Sequence, residues 1–173
     1  AGRGLVPPDH PLSFGSYLAR PDSARVAAQA DLVLALGTEL SEVDLWRDTL
    51  GHSARMIRVD LDPEVLSALR PGDLGLMGDV AGLVRAMTIA WPARRDDRAP
   101  CWDSGEVAQT KARWRAEVQA ERPGIVETAE ALRAVMPDDA MIYSDMTQFA
   151  YGAKEVWDMP RPGHWHHPYG FGT

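Results

Sequence analysis

The sequence holds a single cysteine, Cys101, so no disulfide can form within the chain. Cys101 stands beside Trp102 in a polar stretch with no base close by in sequence, which argues against a nucleophilic thiol. No apolar run approaches the roughly 20 residues that a membrane helix needs, and no signal peptide opens the chain. Basic residues do not cluster either. The adjacent pair Arg94-Arg95 is followed at once by Asp96-Asp97. A net charge of -7 and a pI near 5.2 argue against a nucleic-acid or anionic-membrane surface, because both partners are polyanions. The expected setting is the cytoplasm. Internal repeats, low-complexity tracts and the G-x-G-x-x-G fingerprint are all missing.

What is present is a chain of 173 residues, 45% of them hydrophobic, which suffices for a buried core. Its organising stretch runs from Ala30 to Leu40. There Asp31 is followed by Leu32-Val33-Leu34-Ala35-Leu36 and then by Gly37. Such a continuous apolar run reads as a strand buried on both sides within a parallel sheet. A second strand, Met56–Val59, hands over through Asp60-Leu61-Asp62-Pro63 to a helix with Asp62 as its N-cap and Pro63 at its first position. Leu74–Met77 and a helix from Val80 to Ala90 capped by Asp79 complete the alternation, and Asp22 or Ser23 is expected to cap an earlier helix carrying Val26, Ala27 and Ala30. The fold class is therefore α/β: a Rossmann-like parallel sheet with helices on both faces.

Beyond Trp91-Pro92 the composition shifts to Pro, Arg and Asp, which reads as a linker leading into a polar helix, Glu106–Glu121, with Val107, Trp114 and Val118 as a thin apolar stripe. An amphipathic helix, Ile125–Met136, with Ile125, Ala129, Leu132 and Val135 on one side, precedes a buried strand at Ala140–Ser144. Another helix begins near Asp145-Met146-Thr147-Gln148, and residues 159–173 read as loop. The expected division is 1–91, 92–123 as linker and connecting helix, and 124–173 as the start of a second α/β domain. The chain opens on Ala1-Gly2-Arg3-Gly4 without Met and closes on Gly170-Phe171-Gly172-Thr173, so it reads as a piece of a longer polypeptide.

Three groups of residues carry candidate chemistry. Gly37-Thr38 and Asp60 have the outline of a dinucleotide site for NAD or FAD, but one glycine stands where three are needed, and an ordinary strand-end turn is the better reading. His164, His166 and His167 lack a neighbouring carboxylate or cysteine to complete a metal set, so they read as a solvated or substrate-lining loop. Asp145-Met146-Thr147-Gln148 follows a buried strand and opens a helix, where free backbone N–H groups and the helix dipole favour phosphate.

The ordered set Gly2-Arg3-Gly4, Asp9-His10-Pro11-Leu12, Ala30–Thr38, Ile57–Pro63 and Gly78-Asp79 resembles the central domain of thiamine-diphosphate enzymes of the acetolactate synthase and 2-oxo-acid decarboxylase group. Ser144–Gln148 and Gly170–Thr173 resemble the opening of the diphosphate-binding domain that follows it. The resemblance implies a three-domain subunit in homodimers or homotetramers, with thiamine diphosphate and Mg²⁺ bound in the intact parent and a small 2-oxo acid as substrate. It implies that Met146, Thr147, Gln148 and Phe149 lie by the diphosphate and thiazolium, and that Gly170, Gly172 and Thr173 approach the aminopyrimidine. The segments that hold Mg²⁺ and activate the cofactor would fall outside the chain, so this chain alone is expected to be catalytically silent, with no catalytic or metal-binding residue of its own. Acetolactate synthases carry an arginine-bearing segment near FAD after the glycine turn; here Glu39, Glu42 and Asp44 make that segment acidic, which speaks against FAD and resembles decarboxylases of the 5-guanidino-2-oxopentanoate type. A purely structural, subunit-pairing domain is the other reading.

Overall fold

The computed structural model describes residues 2–91 and 102–168. It divides the chain into two compact units, Leu18–Ala99 and Ala1–Tyr17 with Pro100–Thr173.

In the first unit three strands, β1 (Leu32–Leu36), β2 (Arg55–Asp60) and β3 (Leu74–Met77), form a parallel sheet in the order β1-β2-β3. Leu34 pairs with Ile57, and Ile57 with Leu74. Helices α1 (Ser23–Ala28), α2 (Glu42–Leu45), α3 (Pro63–Ser67) and α4 (Val80–Ala90) alternate with the strands, as an α/β fold requires. The predicted caps are in place on two of them. Asp62 accepts from Glu64 N–H at 2.8 Å and Asp79 from Gly82 N–H at 2.7 Å. On α1 the expectation fails, because Asp22 has helical φ and ψ and its carboxylate takes the Arg25 guanidinium at 2.7 Å instead. Ala30 lies past the end of that helix.

The β1 run also differs from its reading as buried on both sides. Ala35 is buried, but Leu32 and Leu34 are 50% and 39% exposed. The reason is position, since β1 is an edge strand and full burial falls to Val59 on central β2. On β3, Gly75 admits a close neighbour: a Cβ there would lie 2.8 Å from Leu69 Cδ1, just past the end of α3, and 3.6 Å from Leu66 Cδ2 within it.

Asp73 ties the start of β2 to the turn before β3. Its carboxylate accepts from Met56 N–H at 2.8 Å and from the Arg70 backbone and Nε at 3.2 and 3.3 Å. These donors, the Met56 N–H foremost, hold its pKa below the usual 3.8. A carboxyl depressed in the folded state stabilises above its unfolded pKa, and that contribution is lost as pH falls through the folded value. Acid titration of the unit's urea midpoint should therefore decline below about pH 4, and Asp73→Asn should flatten that decline. An unchanged acid limb in the variant would remove Asp73 from the account.

The second unit is built on α5 (Ser104–Glu121), the helix read from sequence as a connector. Val107, Thr110, Trp114 and Val118 recur at helical spacing and are all but fully buried. The opening residues complete this core. Phe14 and Tyr17 meet Trp114 with ring centroids 5.8 and 5.6 Å apart, and Lys111 donates to Pro8 O at 3.0 Å. These residues, read from sequence with the first domain, thus group with the second unit. Helix α6 (Ile125–Val135) turns Val126 and Ala129 inward, while Leu132 and Val135 are exposed; the buried stripe is rotated from the one expected. Strand β4 (Ile142–Tyr143) pairs in parallel with β5 (Trp165–His166), so part of the stretch read as loop is a strand. Between them lies α7 (Gln148–Val156).

Candidate functional site

The carboxyl ends of β4 and β5 point the same way, and the chain leaves β4 directly into α7. At this junction Asp145 Oδ1 accepts from Met146 N–H at 2.7 Å, and Thr147, the N-cap, accepts from Ala150 N–H at 3.1 Å. The first-turn N–H groups of Gln148 and Phe149 have no helical carbonyl before them. Met146, Thr147 and Gln148 are exposed and Phe149 is half-buried. The structure thus gathers Met146–Phe149 into one helix start beyond a parallel strand, where open sheets place ligands. Gly170, Gly172 and Thr173 lie outside the described residues, as does Cys101.

The three histidines take three different partners. His164 Nδ1 lies 3.2 Å from Ala140 O, His166 stacks on Tyr143 at 4.7 Å, and His167 Nδ1 lies 2.8 Å from Ser144 Oγ. Burial pushes His167 below the ordinary imidazole pKa, with the Lys154 and Arg3 charges acting in the same direction. Among the described residues no group of three His, Cys, Asp or Glu side chains is placed to hold a metal. The Ser144–His167 pair was not foreseen; a serine ending one strand and a histidine ending another carry no joint signal until the strands pair.

The turn after β1 is the other candidate. Gly37 takes φ 58°, and the buried Arg58 donates to Thr38 O at 2.8 Å and to Glu39 O. The turn therefore offers carbonyls to a guanidinium from its own sheet. Asp60, the acid that a dinucleotide design would direct at a ribose, accepts from Asp62 N–H at 3.0 Å. Both features serve the chain itself, and a nucleotide site there is not favoured.

Thiamine diphosphate can be tested against the donors present. The exposed first turn of α7, with backbone N–H groups and the Gln148 amide, has the chemistry that a phosphate group accepts from. A metal finds no such set among the described residues.

The family model for the central domain of thiamine pyrophosphate enzymes matches residues 1–87. The probable 2-ketoarginine decarboxylase AruI of Pseudomonas aeruginosa is 37% identical over 177 residues, an alignment that covers 100% of this chain and 31% of the relative. A sulfoacetaldehyde acetyltransferase of Rhodobacter capsulatus is 27% identical over 81% of this chain and 28% of its own length. The large subunit of acetolactate synthase isozyme 1 from Escherichia coli is 23% identical over 98% of this chain and 30% of its own. The chain thus spans less than a third of each of these relatives. Sequence order, a parallel α/β sheet and a phosphate-suited helix start agree with the half-chain match: this protein belongs to the thiamine pyrophosphate enzyme family.

Proposed function

We propose that the chain is part of a thiamine-diphosphate-dependent enzyme that decarboxylates, or joins a second molecule to, a 2-oxo acid. The observation that carries this is the start of α7, where Thr147 caps the helix and leaves the Gln148 and Phe149 N–H groups open beyond the end of β4. In this reading residues 1–91 are the central domain, 92–123 the connection, and 124–173 the opening of the diphosphate-binding domain. Met146, Thr147, Gln148 and Phe149 lie beside the diphosphate and thiazolium, with Gly170, Gly172 and Thr173 approaching the aminopyrimidine. When bound, thiamine diphosphate would supply a nucleophilic thiazolium carbon and an electron sink for a bond beside a 2-oxo acid's carbonyl. What this chain contributes is binding and orientation: first-turn N–H groups and the Gln148 amide donate to diphosphate oxygens, and the helix dipole favours their charge. Mg²⁺, assembly into dimers or tetramers, and a cytoplasmic setting belong to the same proposal.

For the substrate, the likeness to a probable 2-ketoarginine decarboxylase joins with the acidic segment Glu39, Glu42 and Asp44, whose field suits a cationic guanidinium acid. The same segment speaks against FAD.

Two measurements test the proposal. Calorimetric titration of this chain with thiamine diphosphate and Mg²⁺ should give no heat, because most of the site is supplied by other segments. Saturable binding would show a complete site within the chain. In the protein carrying its flanking domains, turnover of 2-oxo acids should disappear on stripping and return with thiamine diphosphate and Mg²⁺. Turnover that survives stripping would overturn the proposal.

A further inference from the structure

Gln148 is held by one edge of its amide. Arg122, which ends α5, donates from Nε to Gln148 Oε1 at 3.3 Å. A guanidinium carries donors only, so the atom of the amide that meets it is the oxygen. The NH₂ group is therefore turned away, and among the described residues it meets no acceptor. Arg122 Nη1 makes no hydrogen bond among the described residues, but it lies at ion-pair distance from two carboxylates, 3.5 Å from that of Glu121 and 3.9 Å from that of the buried Glu155. Gln148 and Glu155 are two helical turns apart on one face of α7, so a single guanidinium spans that face. Gly152 lies between them. A Cβ there would sit 2.8 Å from Ile125 Cγ2 and 3.5 Å from Arg122 Cδ, so the glycine permits the close approach.

We propose that Arg122 is a positioning residue: by occupying Gln148 Oε1 it presents both amide N–H bonds at the first turn of α7, as donors to an anionic phosphate oxygen. The identity of that ligand as the cofactor's diphosphate rests on the function proposed above, whereas the orientation of the amide does not. A free glutamine at this place would expose its carbonyl as often as its NH₂ and repel the anion half the time.

The test is side-chain amide NMR on the ¹⁵N-labelled chain, with the Gln148 signals assigned by Gln148→Ala. In the wild type the Gln148 NH₂ group should be nearly as ordered as the backbone of α7. Arg122→Met should release it to the mobility of an exposed glutamine while circular dichroism stays unchanged. Arg122→Lys should restore order in part, and Glu155→Gln should loosen it less. A mobile amide in the wild type, or one indifferent to Arg122→Met, would overturn the proposal whether or not any cofactor binds. In the protein carrying its flanking domains, Arg122→Met should weaken thiamine diphosphate about twofold, and Gln148→Ala should cost less in that background than in the wild type. Independent, additive losses would show that Arg122 acts only as a brace. Absence of thiamine diphosphate binding in the unmutated protein would count against the proposed function and leave the amide result to decide this inference.

Discussion

Trp114→Ala is expected to cost the second unit about 3–5 kcal/mol, the range for truncating a buried large aromatic. Trp114 is 1% exposed and is met by Phe14 and Tyr17, which come from the far end of the sequence. Removing the indole takes a ring contact from both Phe14 and Tyr17 and leaves a cavity that Val107 and Val118, already buried on the same helix, cannot fill by small movements. A loss of that size is a large share of the 5–15 kcal/mol that typically separates folded from unfolded domains. Urea unfolding followed by circular dichroism would measure it, with Trp114→Phe as the milder control. A loss below about 1 kcal/mol would mean that Trp114 is not the centre of this core.

Gly4→Ala is the second large effect. Gly4 has φ +84°, where a residue with a Cβ is strained by about 1–2 kcal/mol. A Cβ there would also lie 2.8 Å from Pro162 N and closer still to the Arg161 carbonyl. Both obstacles are backbone, so no side chain can swing aside, and overpacking of about 1–3 kcal/mol adds to the strain. The consequence extends beyond stability. Arg3, next in the chain, sits over the Trp165 ring at 5.4 Å, and Trp165 belongs to β5, which leads to His167. Gly2→Ala is the control, because a Cβ at Gly2 would meet only Leu5 Cδ1 at an ordinary 3.8 Å. If thermal unfolding showed both variants equal to the wild type, the close approach of Gly4 to residues 161–162 would be wrong.

Several elements were readable in advance because their causes are local. Asp62-Pro63 and Asp79 announce helix starts through side chains that reach two or three residues along the chain, and both are found capping. Asp22 has the same composition but fails, since Arg25 competes for its carboxylate one turn later. The stripe Val107, Trp114, Val118 was visible from period alone. On α6 period was not enough: of the expected stripe Ala129 is buried, but Leu132 and Val135 are exposed and Val126 is buried instead, which only the packing neighbours decide.

By itself the sequence determined the alternation of strands and helices and a helix start near Asp145–Gln148, because short-range hydrogen bonding and apolar spacing fix these; the family was legible as a resemblance carried by ordered motifs. Tertiary structure alone decided the rest. It left Leu32 and Leu34 exposed on an edge strand, paired β5 with β4, placed Arg58 under the carbonyls after Gly37, and set Arg122 against Gln148. Each of these joins residues distant along the chain. An apolar run declares a preference for burial and a charged side chain a need for a partner; which partner satisfies them is settled only when the chain closes on itself.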